Sequence, residues 1–118
     1  MNTRIALGAA GESLAAAYLE SHELRILERN WRCHAGEIDI VATQHSELVI
    51  VEVKTRTGVQ FGHPFEAVTP TKLARLYRLG VLWAAQHRWR GPMRIDAISV
   101  TFDQAGVPHI EHLRGVSS

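Results

Sequence analysis

Only one cysteine occurs in 118 residues, so Cys33 has no partner within the chain and no internal disulfide can staple the fold. That suits a reducing compartment, and a cytoplasmic location is expected. Long apolar runs are missing as well. The longest, around Leu79 to Ala85, falls far short of the ~20 residues a membrane-crossing helix needs, and it follows directly on Arg78. No membrane partner is therefore expected. Arg4 precedes small apolar residues in a faint signal-peptide pattern, but Glu12 and Ser13 interrupt it, and a helix is the better reading. No phosphate-binding loop or dinucleotide glycine fingerprint is present. The seven histidines are scattered, and His109 and His112 would face opposite ways on extended chain, so no zinc site is indicated. Cys33 beside His34 would be a nucleophile pair only if the fold held them together, and neighbours on extended chain point apart. Cys33 reads as a plain thiol.

The chain does have enough apolar material for a core. At 46% hydrophobic residues it suits one compact domain spanning residues 1–118, with no room for a second. The net charge of +1 conceals a segregation. Residues 1–53 carry four basic and eight acidic groups, whereas in 54–94 Lys54, Arg56, Lys72, Arg75, Arg78, Arg88, Arg90 and Arg94 oppose only Glu66. An acidic cluster beside a basic surface suits a polyanion held next to bound metal, although ordinary solvated helix charge explains the same pattern.

Taken in order, residues from Arg4 to about Ser21 follow a helical pattern in which Leu7, Leu14, Tyr18 and the intervening alanines form one apolar face. Glu12 has Gly8, Gly11, Ala15 and Ala16 around it. It is either a solvated glutamate or a carboxylate at a close helix contact. Leu24 to Arg32 reads as a strand, with Leu24 and Ile26 on one face and Leu27 and Trp31 on the other. Cys33 to Gly36 turns the chain. Arg56 to Val68, with Gly58, Gly62 and Pro64, must be a loop, in which Gln60, Phe61, His63 and Glu66 are candidates for substrate contact. Thr69-Pro70 starts a helix to about His87, with Thr69 as N-cap. Its expected buried stripe is Leu73, Leu76, Tyr77, Gly80, Trp83 and Ala84, while Lys72, Arg75 and Arg78 recur every third residue on another side as a candidate phosphate-facing rail. Met93 to Phe102 alternates as a strand. Its Asp96 is expected to pair with Arg94 or a neighbouring strand rather than with metal. Val107 to Leu113 reads as a short edge strand despite Pro108. The order is α-β-β-β-α-β-β, an α/β protein.

Two runs carry the chemistry. Gly36 to Ala42 and Leu48 to Thr55 are rich in Val and Ile, alternate with period two, and read as strands of a hairpin closed by Thr43 to Glu47. Three successive strands with short links argue for an antiparallel meander. If the turn centres on His45 and Ser46, paired positions sum to 91 and Asp39 lies opposite Glu52. Opposed like charges are destabilising, and a cation between them would remove the conflict. A three-residue turn would instead send them to opposite faces. Hard divalent ions such as Mg²⁺ take oxygen ligands, which Asp39, Glu52 and the Val53 backbone carbonyl could supply. Lys54, on the face of Glu52, could orient or help deprotonate a nucleophile. An ordinary ion pair of Lys54 with Glu52 or Asp39 fits the spacing equally well.

Asp39, a twelve-residue interval and Glu52-Val53-Lys54 after an apolar strand, with Glu12 on a preceding helix, resembles the PD-(D/E)XK nuclease superfamily, whose core is restriction-endonuclease-like. The residue before Asp39 is Ile38, where the superfamily name has Pro. Within it, Gly36-Glu37-Ile38-Asp39-Ile40-Val41, Val51-Glu52-Val53-Lys54-Thr55-Arg56 and Phe61-Gly62-His63-Pro64-Phe65-Glu66-Ala67-Val68 look like the small bacterial YraN family, similar to archaeal Holliday junction resolvases. The resemblance covers nearly the whole chain. It implies a mixed central sheet flanked by helices, Asp39 and Glu52 as ligands of Mg²⁺ or Mn²⁺, Lys54 as catalytic lysine and Glu12 as a supplementary acid near the metal. The expected function is metal-dependent hydrolysis of phosphodiester bonds in DNA, branched DNA included, with RNA left open. Arg56, Gln60, Lys72, Arg75 and Arg78 are the candidate nucleic-acid contacts. The analogy also suggests a homodimer, because two strands must be cut. A second expectation is a nucleic-acid-binding adaptor that keeps the fold without turnover, and a structural partner protein is the third.

Overall fold

A computed structural model describes residues 3–58 and 68–117. In chain order the elements are α1 (Thr3–Ser21), β1 (Arg25–Cys33), β2 (Gly36–Gln44), β3 (Glu47–Thr57), α2 (Pro70–Gln86), β4 (Met93–Phe102) and β5 (Pro108–Leu113). The strands form one sheet in the order β1-β2-β3-β4-β5. Its first three strands are the expected antiparallel meander, β3 and β4 run parallel with α2 in the crossover, and β5 is antiparallel to β4. Parallel neighbours need such a crossover, and the helix it contains covers the sheet.

Alternation along β3 divides the core in two. Val49 and Val51 pack with Ala15, Ala16 and Leu19 of α1 on one face, while Leu48 and Ile50 pack with Leu73, Leu76, Leu79 and Trp83 of α2 on the other. Both helices sit unusually close to the sheet where glycine allows it. A Cβ on Gly11 would lie 2.7 Å from Thr55 Cγ2 and 2.9 Å from its Cβ, and one on Gly80 would lie 2.6 Å from Met93 Sδ. Gly8, by contrast, faces open space.

The β2–β3 turn is His45-Ser46, both at positive φ (49° and 67°), which matches the twist of the flanking strands. Pairing runs from Gln44–Glu47 to Ile40–Val51, so paired positions sum to 91 as expected. Thr69 caps α2, accepting from the Lys72 amide at 3.2 Å. Two details differ from expectation. Tyr77 is not part of the buried stripe of α2 but is 58% exposed, and Leu79 is buried in that stripe. Leu27 is the extra residue of a bulge between Ile26 and Glu28, which leaves it without a core to face.

Candidate metal and phosphate site

The β2–β3 ladder ends one residue short of the carboxylates, and the reason lies in β1. Asn30, in mid-strand, has φ 54°, a left-handed conformation that Asn tolerates better than most residues. Alternation breaks there: Arg29 reaches Glu12 on α1, whereas Trp31, two residues on, donates to Gln86 at the end of α2. The paired strand follows. Ile40 packs on the α1 side, but Ile38 and Val41 both pack on the α2 side. Asp39 sits at this change of facing. Its carboxylate is turned toward β3, where Oδ2 accepts the Val53 amide hydrogen at 2.8 Å. Asp39 therefore takes the place of a backbone acceptor, and the two strands part around it.

Strand geometry then aims a second oxygen into the gap. The amide and carbonyl of one strand residue point to the same side, so the Val53 carbonyl faces the opening that its amide shares with Asp39. Glu52, half-buried, lies beside this opening, close enough that a protonated Asp39 carboxyl would favour its ionised form. Burial, together with the charge of Glu52, raises Asp39 from 3.8 to about 7 against the pull of the Val53 amide, and Glu12 and Glu37 add to the rise. Burial also raises Glu52, opposed by the positive charges of Arg75, Lys72 and Lys54. Two neighbouring carboxyls, both raised above their ordinary range, thus compete for protons, as expected when like charges share a site.

The remaining candidates divide between those gathered here and those elsewhere. Lys72 and Arg75, exposed on the first turns of α2, act on Glu52, so the basic rail begins at the carboxylate pair. Lys54 is exposed on β3 and acts on Glu52 as well. Arg78 is exposed one turn further along α2. Arg56 is half-buried on β3, at a position paired with Thr101 of β4. Glu12 is close enough to raise Asp39, but its Oε1 lies 3.5 Å from Arg29 Nε, and Arg29 also reaches Ser13 Oγ at 3.3 Å. Arg29 was not foreseen: only the break at Asn30 turns it toward α1. Gln60, Phe61, His63 and Glu66 lie outside the described residues.

Asp39, Glu52 and the Val53 carbonyl offer oxygen donors, the type of ligand a hard divalent cation takes. Among the described residues no group of three or more His, Cys, Asp or Glu side chains is arranged to hold one ion, so Glu12 is a neighbour rather than a third member. Asp96 has a different fate. Fully buried, it binds His112 Nε2 at 2.7 Å, Arg94 Nε at 3.0 Å and the Gly115 amide at 3.0 Å. Burial alone would raise its pKa, but these bonds outweigh it and hold the carboxyl below its usual range. Asp96 is the structural ion pair expected of it. His109 pairs with Asp103 away from His112, and Cys33 is a free thiol.

Fold and site together define a mixed α/β protein whose central sheet opens around a pair of carboxylates with lysine and arginine beside them. The chain belongs to the uncharacterised protein family UPF0102, which it matches over residues 11–100. It is similar to UPF0102 proteins of an Arthrobacter species, 56% identical over 98% of this chain and 99% of that one, and of Renibacterium salmoninarum, 52% identical over 98% and 99%. A UPF0102 protein of Streptomyces coelicolor is 50% identical over 99% of this chain and 92% of its own. No helix among the described residues is long and apolar enough to cross a membrane.

Proposed function

We propose that the protein is a Mg²⁺- or Mn²⁺-dependent endonuclease of the PD-(D/E)XK type that hydrolyses phosphodiester bonds in DNA, branched or junction DNA included, in the cytoplasm. The single observation that carries this reading is the Asp39 carboxylate turned into a gap in the sheet, next to Glu52 and the inward-facing Val53 carbonyl, with Lys54, Lys72 and Arg75 at its edge. Asp39, Glu52 and the Val53 carbonyl would hold the ion, which when bound would polarise a phosphoryl oxygen and acidify a water. The chain's own residues do the rest. Lys54 offsets charge growing on the phosphate and orients the attacking water, while Lys72 and Arg75 hold neighbouring phosphates so that the scissile group meets the carboxylates. A homodimer would present two such sites to the paired strands of a junction.

The test is cleavage of linear, flapped and four-way DNA, and of matching RNA, with either metal. Metal-dependent product from the wild type, lost in Asp39→Ala and Lys54→Ala, is the expected outcome. Product that survives undiminished in both variants would refute the assignment of residues. The ion pair that holds Glu12 with Arg29 supports a second reading, a nucleic-acid-binding adaptor without turnover. Salt-dependent DNA binding that persists in Asp39→Ala, without cleavage and without calorimetric Mg²⁺ binding, would select it.

A further inference from the structure

Among the described residues the flank of α2 opposite Arg75 is apolar and largely uncovered, with Ala84 at its end packed in part on the α2-side core. Pro70, Ala74, Tyr77, Val81 and Ala84 recur at steps of four, three, four and three, the spacing by which a helix offers a seam to a second segment. At ~100° per residue Tyr77 lies about 160° around the helix from Arg75, so the seam and the carboxylate pair use different flanks. Tyr77 is 58% and Val81 46% exposed. Two depressions adjoin this seam. One runs from Ala74 and Tyr77 to Met93 and Val116, and the other from Tyr77 and Val81 to Trp89 and Met93. They share Tyr77 and Met93 and so form one groove, whose far wall is the start of β4 and the C-terminal segment.

The charge around the groove says what could fill it. No Asp or Glu occurs between Val68 and Ile95, whereas Arg78, Arg88 and Arg90 are exposed there and Arg90 lines the groove. Arg94 also lines it but is held by Asp96 and Glu47. A second copy docking seam to seam would set these arginines against their own equivalents. Nucleic acid would match the charge but not the floor. Tyr77 is the one well-exposed ring, Trp89 is half-buried with its indole donating to the Pro92 carbonyl at 3.3 Å, and the rest of the lining, Ala74, Val81, Met93 and Val116, is aliphatic, so successive bases would find no series of rings on which to stack.

We propose that this groove docks a short acidic segment of a partner protein through one or two aliphatic or aromatic anchor residues. The anchors would enter beside Tyr77, Val81 and Met93, and the flanking carboxylates would meet Arg78, Arg88 and Arg90. Such a segment laid along an apolar seam is a common mode of peptide recognition. The dock does not depend on nuclease activity, and it would let a partner hold the protein while the Asp39–Glu52 end stays open.

The experiment is an NMR titration of the isotope-labelled full chain with a synthetic peptide carrying Leu and Phe four residues apart among Asp and Glu. Poly-glutamate of equal length and a Lys-for-acid version of the peptide are the controls. Saturable shifts confined to Tyr77, Val81, Trp89, Met93 and Val116, weakened about tenfold or more by Val81→Asp or Tyr77→Ser, are expected. Both substitutions fall on exposed positions, and unchanged circular dichroism establishes that the variants are folded. Equal binding of poly-glutamate or of the Lys-for-acid peptide would overturn the proposal. So would shifts centred on Lys72 and Arg75, absence of saturable shifts up to about 1 mM peptide, displacement by single-stranded DNA, or a sedimenting dimer of the free chain that Val81→Asp dissolves. DNA cleavage enters none of these readouts, so failure of the nuclease reading would leave the result intact.

Discussion

Replacing Asp39 by Asn should make the protein more stable at pH 8 and change little at pH 4. The unfolded chain ionises this carboxyl near 3.8, whereas the folded chain resists until about 7. Each tenfold difference in proton affinity is worth ~1.4 kcal/mol, so holding the ionised group in the folded site costs on the order of 4 kcal/mol above pH 7. Water reaching the half-buried site screens part of that, leaving ~2 kcal/mol or more. The sign follows from the raised value: the penalty is absent below the unfolded pKa, grows as pH rises from 3.8 to about 7, and is constant thereafter. Asn keeps an oxygen for the Val53 amide and turns an amide hydrogen toward neighbouring Glu52, so the Val53 bond survives while the charge conflict disappears. Thermal unfolding of wild type and Asp39→Asn at half-unit steps from pH 4 to 8.5 measures it, and at pH 8 the difference should appear as roughly 5–10 °C in Tm. At pH 8, Mg²⁺ at ten times its dissociation constant should return ~1.4 kcal/mol to the wild type and nothing to the variant. A variant that is destabilised at pH 8, or a difference that does not vary with pH, would refute the account of Asp39 as a strained carboxylate.

Three further outcomes are expected. Gly11→Ala should lose about 1–2 kcal/mol despite the better helix propensity of Ala, because the new Cβ meets Thr55, and Thr55→Ala in the same chain should restore part of the loss in a denaturant titration. Arg94→Met should cost about 3–5 kcal/mol by leaving Asp96 buried with one cationic partner fewer, and the stability that Asp96 contributes should vanish as pH falls from 3.8 downward, the reverse of Asp39. If the basic rail carries phosphates, Lys72→Gln and Arg75→Gln should each weaken DNA binding uniformly across sequences and lower the slope of log affinity against log salt by about one, measured by anisotropy.

Local pattern was enough for most of the architecture. Period-two alternation of Val and Ile gave β2, β3 and β4 to within two residues, Thr69-Pro70 gave the start of α2, and the carboxylate spacing about His45-Ser46 depended only on a two-residue turn. The misplacement of Tyr77 shows the limit of the same reasoning. A helical stripe says which residues share a face, but the width of the buried part depends on what lies opposite, and Gly80 lets α2 settle close against Met93 and Ile50 with Tyr77 outside.

What the chain by itself determined, then, is the order of elements, the hairpin register and the presence of two acids and a lysine within a few residues of one another. Those follow from interactions between near neighbours. Tertiary structure alone decided how the carboxylates are used. The left-handed Asn30 in β1 changes the facing of β2 across the sheet, turns Asp39 edgewise onto the Val53 amide and points Arg29 at Glu12. It also placed Lys72 and Arg75, twenty residues on, beside Glu52. The physical reason is that a pKa near 7 and an oxygen-lined gap arise from burial and from strands that part, and both come from contacts between distant segments that no local spacing encodes.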